Sequence, residues 1–225
     1  MGVELLYNRV MGIDEAVSTL KNSLVNALLS NSKVVWFVPG GSNIPISVAT
    51  SKAIPDNLRP KLSITLTDER FGNYGHKDSN WQQLKDLGFD FASINTVEFL
   101  QKGNLNLVDT QNIVEKNLKN IINDAYLFGQ FGIGADGHIA GIKPNSPAVD
   151  SNNLVCGYKA KDFIRLTSTL KLIKQIDEAH IFALGKEKLK IIEKLKNNDE
   201  PLETMPVQIV KQIKKAVIFS EEETT

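Results

Sequence analysis

The chain has 225 residues, room for one sizeable α/β domain or at most two small ones, and 42% of them are apolar, enough for a full core. Lysine plus arginine number 26 and so do aspartate plus glutamate. The resulting net charge of zero argues against a general nucleic-acid binder, whose footprint is a basic excess.

In chain order, Ile13, Val17, Leu20, Leu24 and Leu28 recur at spacings of three and four, which predicts a helix with Asp14 as its N-cap. Val34–Val38 is continuously apolar and β-branched or aromatic, the pattern of a strand buried on both faces. A glycine turn follows, then a short predicted helix over Ile44–Lys52. Leu62–Leu66 reads as the second strand and residues 97–100 as a weaker third, with a helix between them through Trp81, Leu84 and Leu87, capped by Asp78 and ended by Gly88. A helix over 108–122 precedes a strand over 125–131. Residues 166–169 are strand-like, 179–184 form another strand, 186–195 a helix, and 216–219 a strand that closes the sheet. Alternating strands and helices argue for a single domain over residues 1–225, a three-layer, Rossmann-like α/β fold with a mostly parallel sheet covered by helices on both faces. No internal repeat or low-complexity linker interrupts it.

Cys156 is the only cysteine, so no intramolecular disulfide can form and a reducing, cytoplasmic setting is expected. Its side chain reads as a small, half-buried apolar group. The N-terminus has no basic stretch followed by an apolar one, and no apolar run approaches the ~20 residues that span a bilayer. Leu6 stands where a myristoylated chain has Ser or Thr. No leader, membrane span or lipid anchor is expected.

The chemistry concentrates where strands end, which is where open parallel sheets bind ligands. Pro39-Gly40-Gly41-Ser42-Asn43 follows the first strand. A glycine turn feeding a helix presents free amides to an anion, and Ser42 adds a hydroxyl. No Gly-Lys-Ser/Thr follows, so this is a phosphate cup without the P-loop signature. Thr67-Asp68-Glu69-Arg70 follows the second strand and leads through His76 to Asp78-Ser79-Asn80. Acids and an arginine there can hold hydroxyls and a phosphate or carboxylate. The richest segment is Phe131-Gly132-Ile133-Gly134-Ala135-Asp136-Gly137-His138. Its glycines permit a sharp bend, and Asp136 and His138 bring a charge and a group that moves protons near neutral pH. Its Gly-x-Gly-x-x-Gly spacing formally matches a dinucleotide fingerprint, but Pro144 leaves little room for the required helix. His76 reads as a loop residue near the site entrance and His180 as a packed residue of an apolar strand. Lys159, Lys161 and Arg165 flank the 166–169 strand, and Gly185-x-x-Lys188 follows a strand and opens a helix.

Taken together these motifs resemble the 6-phosphogluconolactonase and glucosamine-6-phosphate deaminase superfamily, from about Val34 to Val210. Asp68-Glu69-Arg70 followed by Asp78-Ser79-Asn80 looks like the lactonase branch, since deaminases usually carry Asp-Glu-Tyr at the first motif. Asp136-Gly137-His138-Ile139-Ala140 looks somewhat like the deaminase branch. Deaminases, however, place a glutamate five residues after the histidine, where this chain has Lys143. Lactonases commonly continue with Ser-Leu-Phe-Pro, where this chain has Gly141-Ile142-Lys143-Pro144. The Lys-Pro-Pro run usual before the arginine is absent, and Lys161 or Lys159 is left to take that lysine's place.

The resemblance implies hydrolysis of 6-phospho-D-glucono-1,5-lactone to 6-phosphogluconate, a step of the pentose phosphate pathway, with no metal or organic cofactor. It implies His138 as general base, supported by Asp136. Gly41, Ser42, Arg165 and Lys188 would hold the phosphate; Asp68 and Arg70 would contact the sugar, with Asn80 in support; Gly40 and Lys161 are expected among the substrate-binding residues. Expected partners are the small-molecule sugar phosphate alone, without nucleic acid or membrane, in a monomer or weak homodimer. A deaminase-isomerase and a non-catalytic sugar-phosphate sensor are the alternatives. Ammonia release would favour the first, and binding without turnover the second.

Overall fold

The computed structural model describes residues 4–10, 12–103 and 105–221. Seven strands form one parallel sheet: β1 (Glu4–Arg9), β2 (Val34–Val38), β3 (Leu62–Leu66), β5 (Asn95–Val97), β6 (Tyr126–Phe131), β9 (Glu178–Phe182) and β10 (Lys215–Ser220). Their order is β1-β10-β9-β6-β2-β3-β5. A second, antiparallel sheet joins β4 (Asp68–Arg70), β8 (Ile164–Ser168) and β7 (Val155–Lys159) in the order β4-β8-β7. The helices are α1 (Ile13–Ser30), α2 (Ile44–Lys52), α3 (Asn80–Asp86), α4 (Leu107–Ile122), α5 (Leu170–Ile173) and α6 (Leu189–Asn197). Every residue of β2, β3 and β9 is buried, which requires cover on both faces; β2 is apolar throughout, while β3 and β9 also bury Ser63, Thr65, Glu178 and His180. Trp36, Phe37, Phe128, Phe131 and Phe182 fill the centre.

Strand order creates the site. From β2 the chain steps outward one way, to β3 and β5; from β6 it steps the other way, to β9 and β10, beyond which the N-terminal β1 forms the edge. β2 and β6 are neighbours, so the direction reverses between them. Loops leaving their carboxyl ends diverge and open a crevice, the place where such sheets take ligands. Those two loops carry Gly40–Asn43 and Gly132–His138.

Several elements differ from the sequence expectation. β1 is an additional edge strand whose outer face is solvated, so Glu4 to Arg9 carries only the short run Leu5-Leu6-Tyr7 between polar residues. β10 therefore lies inside the sheet, between β1 and β9, rather than closing it. Gly12, at φ 133, precedes α1 as its N-cap, and Asp14 sits in the first turn. The buried stripe of α1 is Ala16, Leu20, Leu24, Ala27 and Leu28, while Ile13 is half exposed. Ser79, not Asp78, caps α3, its hydroxyl accepting from the Gln82 amide at 3.1 Å. The third parallel strand lies at Asn95–Val97, ahead of the 97–100 run. Lys186–Lys188 is a separate 3₁₀ turn before α6. The strand-like 166–169 segment belongs to the small antiparallel sheet. Of the acidic run Glu221-Glu222-Glu223, the last two residues lie outside the described residues. Among those residues no helix is long and apolar enough to cross a membrane.

Candidate active site

The crevice is a cleft of about 310 Å³. One wall is the turn after β2, where Gly41 adopts φ +65 and Gly41–Asn43 form a 3₁₀ turn leading into α2. The first amides of such a turn have no intrahelical acceptor and face outward for an anion. Gly40 is required for space: a Cβ there would lie 2.1 Å from Asn80 Oδ1.

The opposite wall is the loop after β6. The Gly134 amide donates to the His138 carbonyl at 2.9 Å and the Gly137 amide to the Gly134 carbonyl at 2.9 Å, closing a tight turn with Gly137 at φ +85. Ile139 pairs back with Ile133 and with Ile142, so no helix follows the glycines. The Val207 amide donates to the Gly137 carbonyl at 3.0 Å and fixes the turn from behind. Asp136 and His138 then stand side by side. His138 Nδ1 is 2.5 Å from Asp136 Oδ1, which also accepts the His138 amide at 3.2 Å. The imidazole contact, above all, holds the Asp136 carboxyl far below the usual carboxylate range. An ionised carboxylate only accepts, so Nδ1 carries the hydrogen and Nε2 is the ring's basic nitrogen. Lys143 Nζ completes the cluster, 3.1 Å from Asp136 Oδ2 and 3.1 Å from His138 Nδ1.

The floor comes from the small sheet. β4 and β8 pair so that Asp68 faces Thr167 and Arg70 faces Arg165. Arg165 Nη1 lies 3.3 Å from Asp68 Oδ2, and its Nη2 is 2.6 Å from Asp162 Oδ2. Burial pushes the Asp68 carboxyl up, while Arg165 is the strongest pull in the other direction. Arg70 donates to the Asp78 carbonyl at 3.0 Å and lies over the Phe163 ring at 4.9 Å. Glu69 points away from the cleft and is fully buried. Its carboxylate accepts the amides of Arg70, Asn80 and Trp81 and the Ser79 hydroxyl, at 2.7 to 3.1 Å. Glu69 thereby ties the start of α3 to β4 and sets Asn80 at the cleft. Asn80 Nδ2 donates to the Asp68 carbonyl at 2.9 Å, and its buried Oδ1 has no partner. Lys188, in the turn after Gly185, lines the far side.

Residues 8–219 match the model of the glucosamine-6-phosphate isomerases/6-phosphogluconolactonase family. The chain belongs to this family. A Dictyostelium discoideum protein named as a probable 6-phosphogluconolactonase is 26% identical over 202 residues, covering 82% of this chain and 83% of that one. The fold is shared with a 6-phosphogluconolactonase from Shewanella baltica, at a TM-score of 0.83 and 18% identity over 96% of this chain and 98% of the other. One from Thermotoga maritima superposes at 0.82 with 18% identity over 96% and 99% of the two chains.

Of the residues singled out from the sequence, Gly40, Gly41, Ser42, Asp68, Arg70, Asn80, His138, Arg165 and Lys188 all line this one cleft. Asp136 does not line it and reaches it through His138. Lys161 lies elsewhere: the Ala160 amide closes onto the Phe163 carbonyl at 2.9 Å, a turn that puts Lys161 with Lys159 in an adjoining cavity. His76 bonds the Arg70 carbonyl through Nε2 at 2.8 Å and is not part of the cleft lining. His180 is buried in β9, as its apolar surroundings predict. Two site residues escaped the sequence reading as members of the cleft. Asp162, three residues before Arg165, carried the signal of an i, i+3 ion pair. Lys143 carried one as well, a cation on the His138 loop in place of the residue either branch would show. Among the described residues no group of three or more His, Cys, Asp or Glu side chains is placed to share a metal ion.

Proposed function

We propose that the protein hydrolyses 6-phospho-D-glucono-1,5-lactone to 6-phosphogluconate. The observation that carries this reading is the His138–Asp136 pair, with its basic nitrogen defined, in the same cleft as the glycine cup. The names of the relatives point the same way. Arg70, Lys143, Arg165 and Lys188 against Asp68 and Asp162 leave the lining cationic, suited to a phosphate-bearing substrate.

In this reading the phosphate rests on the amides of Gly40 and Gly41, the Ser42 hydroxyl, Arg165 and Lys188. Asp68, Arg70 and Asn80 take the sugar hydroxyls, with the unpartnered Asn80 Oδ1 as a ready acceptor. His138 Nε2 removes a proton from a water as its oxygen bonds to the lactone carbonyl carbon. The negative charge that develops on the carbonyl oxygen is met by amides of the glycine turns. When the bond from that carbon to the ring oxygen breaks, the proton on Nε2 passes to the departing oxygen. Asp136 keeps the ring in one tautomer throughout and offsets the imidazolium charge.

The test is to follow decay of freshly prepared lactone, with the spontaneous rate subtracted, alongside ammonia release from glucosamine 6-phosphate. Accelerated decay without ammonia is expected. Ammonia release, or lactone decay at the spontaneous rate by folded protein, would overturn the reading.

A further inference from the structure

We propose that Lys143 is a positioning residue that keeps His138 in its neutral, proton-accepting form by bringing a fixed positive charge against the Asp136–His138 pair. The inference rests on the proposed role of His138 as general base, but its first readout does not. The Lys143 ammonium is 3.1 Å from Asp136 Oδ2 and 3.1 Å from His138 Nδ1. Nδ1 already gives its hydrogen to Asp136, so the contact between Nζ and the ring is proximity of charge rather than a second hydrogen bond.

A carboxylate 2.5 Å from an imidazole favours the imidazolium, which would leave the base already protonated. A lysine at the other oxygen of the same carboxylate works against this, since a second positive charge on the ring would face the ammonium. The other charged groups around the ring leave this pairing in place. Asp68 of β4 favours the imidazolium from a greater distance, while Arg70, Arg165 and Lys188 across the cleft oppose it. The backbone of Lys143 is anchored beside the pair, because its amide donates to the Tyr158 hydroxyl at 3.2 Å and that hydroxyl donates to the Gly141 carbonyl at 2.5 Å. Its side chain is 28% exposed, and its ammonium meets the Asp136–His138 pair. The family resemblance supplies neither a lysine here nor this use for one.

The chain has three histidines, so the imidazole resonances of His138 can be assigned by loss in His138→Ala and titrated by NMR. In Lys143→Met the His138 midpoint should move up by about half to one pH unit, a roughly three- to tenfold gain in proton affinity. Lys143→Arg, which keeps the charge, should restore the wild-type midpoint, and Lys143→Gln should behave as Met. In lactone hydrolysis the acid limb of kcat/KM should move with the midpoint in each variant. An unchanged or lowered midpoint in both Lys143→Met and Lys143→Gln would overturn the proposal. A raised midpoint in a protein that does not open the lactone would uphold Lys143 and overturn the assigned reaction instead.

Discussion

Two histidines in this chain each follow a carboxylate by two residues, and only one of them belongs to the cleft. His138 and Asp136 sit in a glycine turn at the end of β6, with side chains 27% and 47% exposed. His180 and Glu178 sit inside β9, at 2% and 9%. In a strand, residues two apart share a face, so the second pair meets as a consequence of the pleat, at 3.1 Å. In the first pair the turn itself brings the groups together. His180 packs against Phe128, Phe182 and Phe219, where no solute reaches it. Glu178 is held by Lys215 and Tyr126 as well. The same two residue types at the same spacing thus make a buried structural network in one place and a candidate proton relay in the other. Access and a place in the cleft beside the glycine turn after β2 separate them.

Substitutions sharpen that contrast. The largest effect is expected at the cleft: His138→Ala should lower lactone turnover by roughly 10²–10⁴ while leaving the denaturation midpoint nearly unchanged. His180→Ala should do the reverse. It empties an aromatic-lined space and strips a partner from Glu178, a loss of about 2–4 kcal/mol in urea unfolding with kcat per folded molecule retained. Equal stability losses in the two variants would erase the distinction.

Gly134→Ala probes the turn itself. A Cβ would fall 1.9 Å from His138 Nδ1 and 2.5 Å from Asp136 Oδ1, so the pair must separate. A loss of about tenfold or more in kcat is expected, from misplacement of the base alone. Arg165→Ala should raise KM by about tenfold through loss of a phosphate contact, with a smaller change in kcat. An unchanged KM would remove Arg165 from the phosphate site.

The smallest effect concerns acid. Burial lowers the His180 midpoint below its ordinary value of 6.5, so the unfolded chain takes up a proton first as pH falls, and stability declines from about that pH downward. Burial raises the Glu178 midpoint, but His180 and Lys215 outweigh it and bring the group from 4.5 down to about 2. Its contribution is present above 4.5 and is lost as pH falls toward 2. Urea titrations of wild type and His180→Phe at about pH 7.5 and about pH 5.5 should show a decline in the first that is weaker in the second. An equal decline in both would place the acid sensitivity elsewhere.

The buried strand Val34–Val38 was legible because full burial leaves an unbroken apolar run, and Leu62–Leu66 because leucine and isoleucine alternate there with only small Ser63 and Thr65. The glycine turns after β2 and β6 were legible because glycines cluster at those strand ends. β1 was hidden by its solvated outer face. The small sheet was hidden because β4 pairs with residues about a hundred positions away, and local pattern carries no record of that partner. The same pairing brings Asp68 and Arg165 together, so their ion pair could not be read from either motif alone. Lys161 looked equivalent to Arg165 by charge and proximity in sequence. Lys161 sits in the exposed turn closed by Ala160 and Phe163, while Arg165 follows in β8 and lines the cleft.

The most direct test of the account measures opening of 6-phosphogluconolactone by wild type, His138→Ala and His180→Ala, each shown to be folded at the assay temperature. The account predicts acceleration by wild type and His180→Ala and none above the spontaneous rate, or a residual orders of magnitude lower, by His138→Ala. Near-wild-type opening by His138→Ala would contradict it.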